Sequence, residues 1–166
     1  MTRPALYILL SLATAALYLT MVLWSLPEIA WNADGLRAFD LHPFGYTPAQ
    51  AEAFLDALSE EGRAFYVRTQ LALDMVFPLL LAVWMGWSVL ALFRGPLRWV
   101  LIALAVLGCV ADYAENIAVA QLLEGFNAGL AAEASRYTVT KSMASSVVYL
   151  AILCGAVRYA WRRLRR

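Results

Sequence analysis

LALDMVFPLLLAVWMGWSVLALF (residues 71–93), RGP (94–96) and WVLIALAVLGCVADYAENIAVAQLL (99–123) follow one another in this chain. Both long runs exceed the ~20 residues an α-helix needs to cross a ~30 Å hydrocarbon core. Between them stands a charged, turn-forming break, and Pro96 cannot continue a helix interior. The three pieces read as an antiparallel pair of membrane spans. Working outward, residues 5–26 carry no charge, and residues 138–158 carry Lys141 and, at their end, Arg158. The spans are therefore expected at about 5–26, 69–93, 98–123 and 138–158. The fold class is all-α, a single four-span domain built as an integral membrane helix bundle.

Composition agrees. The 166 residues are 63% hydrophobic and 15% charged, whereas soluble domains are about half apolar and a quarter charged. A net charge of +1 gives no field for nucleic acid. Cys109 and Cys154 lie in apolar runs without a CxxC or Cys/His spacing, so neither a thiol redox site nor a metal site is expected, and both read as buried free thiols. No residue set calls for a cofactor. The run at 5–26 is too long for a signal-peptide core.

Arginine placement orients the spans. Arg3, Arg94, Arg98, Arg158, Arg162, Arg163, Arg165 and Arg166 fall on one side; Arg37, Arg63, Arg68 and Arg136 fall on the other. By the positive-inside rule the first set, with both termini, faces the cytoplasm. A bacterial plasma membrane is the expected location, with the arginine tail touching anionic lipid.

The loop between the first two spans has two halves. Trp31 to Tyr46 is aromatic and turn-rich and reads as a lid. From Thr47, Pro48 and Gln50 a capped helix is expected over 48–62, with Ala51, Phe54, Leu55 and Leu58 on one face, Glu52, Asp56 and Glu60 on the other, and Gly62 as its stop. It would lie on the membrane surface or over the mouth of the bundle.

Three spans place ionisable groups at similar depth. Asp74 lies a few residues inside the second span, Asp112 and Glu115 lie in the outer half of the third, and Lys141 is about one turn into the fourth. Asp112, Glu115 and Asn116 share a helix face, as do Gln70 with Asp74 and Lys141 with Ser145. Charges facing lipid are costly, so these face one another. The expected site has Asp112, Glu115, Asp74 and Lys141 as its reactive groups. Asp112 or Glu115 would donate a proton, its partner or Asp74 would accept one, and Lys141 would hold negative charge. Asn116, Tyr113, Gln70 and Ser145 would contact a ligand, with Arg68 at the rim. Groups this close titrate as one set.

Other features read as structural. His42, in Asp40-Leu41-His42-Pro43, is a loop residue without metal-site company. Trp84, Trp87 and Trp99 suit an interfacial belt. Gly86 and Gly108 suit close packing. Ser145 and Ser146 lack a histidine partner.

Gly45-Tyr46-Thr47, Gly62-Arg63 with Tyr66, Asp74 with Phe77-Pro78, Asp112-Tyr113 with Glu115-Asn116, and Lys141 resemble the pattern of a group of small four-span membrane proteins that brings no activity with it. By architecture alone the chain is also similar to the EXPERA group of sterol isomerases and lipid binders, which implies acidic residues in a membrane cavity. The expected function is binding or chemically modifying a lipid-like amphipathic ligand. The alternatives are a proton- or ion-coupled transporter or channel, and an interaction protein whose charges glue its helices. Membrane lipids and a lipid-like small molecule are the expected partners, with a homo-oligomer admissible.

Overall fold

The computed structural model describes residues 2–165. Helix α1 (Arg3–Trp31) leads through the loop to the short α2 (Pro48–Ala57). Then come α3 (Glu60–Leu92), α4 (Leu97–Glu124) and α5 (Ala128–Leu164). Among the described residues there is no strand. α1, α3, α4 and α5 are each long and apolar enough to cross a membrane, and the chain is an integral membrane protein.

The four helices do not form a symmetric bundle. α4 packs along both α3 and α5, α3 also touches α5, and α1 leans chiefly on α3. This leaves a lateral cleft between α1 and α5, floored by α3. Two buried cores lie at opposite ends. At the loop end, Ile29, Phe39, Phe54, Tyr66 and Leu122 pack together. At the arginine end the core is Met85, Val89, Leu101 and Val148.

The helices run further than their apolar stretches suggest, and two expectations change. The loop helix ends at Ala57, five residues before the expected stop at Gly62. Leu58 turns extended, and Ser59 starts α3 by accepting a hydrogen bond from the Gly62 N–H at 3.0 Å. Gly62 is thus inside a helix. A Cβ there would fall 2.5 Å from Asn32 Cβ, so the glycine admits the end of α1 against α3. The expected capping box at Thr47 and Gln50 is present. The apolar face of α2 (Ala51, Phe54, Leu55) is buried on the bundle, so α2 caps the mouth instead of floating on lipid. Burying Phe39 and Phe54 in this cap contributes about 1.5–3 kcal/mol each.

Arg63 ties the cap together. Its guanidinium donates to the Leu123 carbonyl, near the end of α4, and to the Leu55 carbonyl of α2 at 3.1 Å. Two helix C-termini thereby gain a donor for an otherwise orphaned carbonyl.

Three smaller expectations also change. Cys154 points out of the bundle, while Cys109 is half-buried; both are free thiols. Gly86 has open space beyond its Cα, whereas Gly108 does pack closely, against Ser145 and Ala144. Trp84 does not stand in an interfacial belt: its indole N–H donates to Ser11 Oγ at 3.0 Å, tying α3 to α1.

Candidate functional site

Pro78 sits in the interior of α3, fully buried. Proline has no N–H, so the carbonyl four residues back, that of Asp74, loses its helical donor. Asn116 Nδ2 on α4 replaces it at 3.1 Å. The next carbonyl, Met75, receives the Tyr113 hydroxyl at 2.9 Å. Asn116 therefore repairs the proline break, Tyr113 bonds the carbonyl beside it, and neither lines the cavity described below. Their expected role as ligand contacts is corrected accordingly. Asp74 faces the cavity bordered by Tyr18 and Met21 of α1 and Lys141 of α5.

Gln70 and Ser25 hold Asp74 from behind. Gln70 Nε2 donates to Asp74 Oδ2 at 2.9 Å, and Ser25 Oγ donates to Gln70 Oε1 at 2.6 Å. Ser25 and Gln70 each close a π-helical turn, Met21–Ser25 in α1 and Tyr66–Gln70 in α3. Such turns widen a helix by one residue and often mark functional regions. Here they bring two fully buried polar side chains into register. The pairing leaves Asp74 Oδ1 with no hydrogen-bond partner among the described residues.

Lys141 on α5 is the centre of a carboxylate cage. Its Nζ lies 2.7 Å from Asp40 Oδ1, 3.2 Å from Asp112 Oδ1 and 2.5 Å from Glu115 Oε2. Glu115 also accepts the Thr138 hydroxyl at 2.6 Å. The ammonium, which has three donors and no acceptor, donates to Asp40 and Asp112, and Glu115 is its third ion-pair partner. Lys141 is thus committed, and its expected role of holding negative charge on a ligand is not available to it. Asp40, Asp112 and Glu115 bring oxygens within 4.8 Å of one another, close enough to share a metal ion, but the ammonium occupies the space between them.

Asp40 is the member that sequence reasoning missed. It lies in the 3₁₀ turn Phe39–Leu41, whose Phe39 is buried in the loop-end core. Tyr66 and Lys141 both reach it. The loop is pinned again at Gly45, with φ +89°, which no other residue would adopt without strain. A Cβ at Gly45 would fall 2.8 Å from Ser135 Oγ, and the next N–H, Tyr46, donates to that same oxygen at 2.8 Å. The expected lid is thus present and latched to α5 at Ser135 and Lys141.

Asp40, Asp74, Asp112, Lys141, Ser142 and Ser145 line a cavity of about 220 Å³. Ser145, expected as a ligand contact, is on its wall. Arg68 is not: it is exposed and makes no ion pair among the described residues. α3 begins at Glu60, so Arg68 lies in its third turn and on its exposed side, away from the cavity.

No protein-family model, curated protein or solved structure matches this chain. Function has to be read from the site itself.

The cavity continues. Tyr18 and Phe77 stack, with ring centroids 6.0 Å apart, and both rings belong to its wall. On their other side the same two rings border a groove of about 390 Å³, also lined by Tyr7, Thr14, Trp84 and Tyr149. This groove is the α1–α5 cleft. A charged chamber and an aromatic slot therefore share one wall and open sideways between two helices.

Tyr46 lies beside the cage. Burial, and after it the negative charge of Glu115, pushes its phenol well above the usual tyrosine range. Its hydroxyl is buried with no hydrogen-bond partner among the described residues. Removing such a group relieves a desolvation cost of about 1–3 kcal/mol. Tyr46→Phe is expected to leave stability unchanged or raise it, in reversible unfolding of the purified protein. A loss above about 1 kcal/mol would mean that the hydroxyl has a partner.

Proposed function

We propose that the protein binds an amphipathic, lipid-like molecule with a small hydrogen-bond-donating head, an amine or a hydroxyl, and a single hydrocarbon chain. The head sits in the chamber against Asp74; the chain lies in the groove between α1 and α5. One observation carries this reading: the chamber and the apolar groove meet at Tyr18 and Phe77.

The chemistry of the wall selects the head. Lys141 is ion-paired with Asp40, Asp112 and Glu115, so the wall offers a ligand mainly carboxylate acceptors. A carboxylate or phosphate head would meet like charge. A protonated amine would meet Asp74 and Asp112, and charge-assisted hydrogen bonds are about twice as strong as neutral ones. The chamber holds roughly seven waters' worth of liquid volume, at ~30 Å³ each, which suits a small head and excludes a bulky one. Chain length is limited by the groove, which opens laterally toward lipid and needs no aqueous entry.

A transport path is less well supported. Below the chamber, the polar groups Ser11, Ser88, Trp84 and Tyr7 are bonded to one another between α1 and α3, not strung along a continuous route.

The test is a binding comparison in detergent. A long-chain alkyl amine should bind the wild-type protein at least about tenfold more tightly than a fatty acid of equal length, matching roughly one charge-assisted hydrogen bond. Asp74→Asn should remove most of that preference. Equal binding of the two amphiphiles, or an unchanged preference in the variant, would end this reading.

A further inference from the structure

At the end of the bundle remote from the chamber, α5 runs on alone. Gly155 is its last buried residue, with Phe93 ring atoms 3.0 Å from where its Cβ would be. From there to Leu164 the helix runs on for about 13 Å, at ~1.5 Å per residue. Every described residue of the projection is exposed, and nothing among the described residues covers it. A recess of about 780 Å³ lies between this overhang and the turn. Arg94 borders it from the turn, and Arg158, Arg162 and Arg163 border it from α5; Phe93 and Leu97 supply apolar wall.

Four guanidiniums around one recess repel one another unless an anion joins them. Among the described residues, all ion pairs belong to Lys141, so no carboxylate neutralises these arginines. No acidic residue borders the recess. Arg158 and Arg163 are instead steered over aromatic rings, Phe93 at 6.0 Å and Tyr159 at 5.7 Å. The planar fork of arginine matches phosphate oxygens two at a time. The recess also lies where the apolar lengths of α3 and α4 end, which is headgroup depth for a spanning protein.

We infer that this recess is a binding site for the phosphate headgroup of an anionic phospholipid, whose chains run down the apolar surface of α3 and α4 below Phe93 and Leu97. The site is separate from the chamber: it differs in sign of charge, in end of the molecule and in ligand. It fixes the register of α5 against the turn, because one phosphate bridges Arg94 to the overhang.

Phosphate could come from a lipid or from solution, and the experiment separates them. Purified protein is titrated with phosphatidylglycerol or phosphatidylcholine in mixed micelles, and bound lipid is counted by native mass spectrometry. Phosphatidylglycerol is expected to bind well above phosphatidylcholine. Arg158→Gln with Arg162→Gln should weaken it about thirtyfold, while Arg68→Gln with Arg136→Gln, at the opposite end, should leave it unchanged. Millimolar inorganic phosphate should not displace it. Equal retention of the two lipids, an equal loss in both double variants, or displacement by inorganic phosphate would overturn the assignment to a lipid headgroup. Because the Arg158 and Arg162 side chains are exposed, the variant is expected to fold, and an unchanged unfolding midpoint without lipid checks that.

Discussion

Lys141→Met is expected to destabilise the protein by about 3–5 kcal/mol, the usual result of leaving buried charges without their partner. The side chain of Lys141 is 13% exposed and that of Glu115 1%, so water would replace the lost ammonium only in part. Asp40, Asp112 and Glu115 would be left facing one another across 4.8 Å or less. Part of the loss should return when a carboxylate is neutralised as well. Lys141→Met with Glu115→Gln should be more stable than Lys141→Met alone, although Glu115→Gln by itself costs stability. The measurement is a double-mutant cycle by reversible unfolding in mixed micelles. Additive losses would mean that the two groups do not share a cage. The loop should respond too: with Asp40 released from Lys141, backbone amides of residues 36–46 should exchange faster with solvent.

Asn116→Leu should cost about 1–3 kcal/mol, because it orphans the Asp74 carbonyl inside the bundle. The diagnostic comparison is in a Pro78→Ala background. Alanine restores the N–H at position 78, which can then bond the Asp74 carbonyl along the helix. There, Asn116→Leu should cost much less. A cost that is the same in both backgrounds would separate Asn116 from the proline and return it to the list of ligand contacts.

The four spans were legible because hydropathy and the Arg-Gly-Pro break are local signals. So was the convergence of Asp112, Glu115 and Lys141, since helical spacing fixes which face each occupies. Their helices then meet as expected, with α4 packed along α5. Asp74 was expected to join the same group; it lines the same chamber but has its own partner, Gln70. What could not be read was anything set by contact across the chain. Asp40 reaches Lys141 over 101 positions from a loop without periodicity. One clue existed: Asp40 is the lone acidic residue between Asp34 and Glu52, with apolar Phe39 and Leu41 on either side. Asn116 and Tyr113 looked like ligand contacts because they share a face with Asp112 and Glu115. Only the fold shows that both reach backbone carbonyls of α3, Asn116 at the one that Pro78 leaves without a donor. Arg63 was assigned to orientation alone, and its bonds to Leu123 and Leu55 depend on how α2 folds over α4.

Asp74 held by Gln70, a lysine ion-paired elsewhere, and an aromatic slot leading away from both are the observations behind the proposal that the chamber receives a donor head on a hydrocarbon chain. The most direct measurement is a crystal structure with an alkyl amine brominated at the end of its chain, located by anomalous scattering. The nitrogen is predicted within hydrogen-bonding distance of Asp74, with the bromine in the slot between Trp84 and Tyr149. A bromine signal elsewhere on the surface, with the chamber holding only water, would contradict the account.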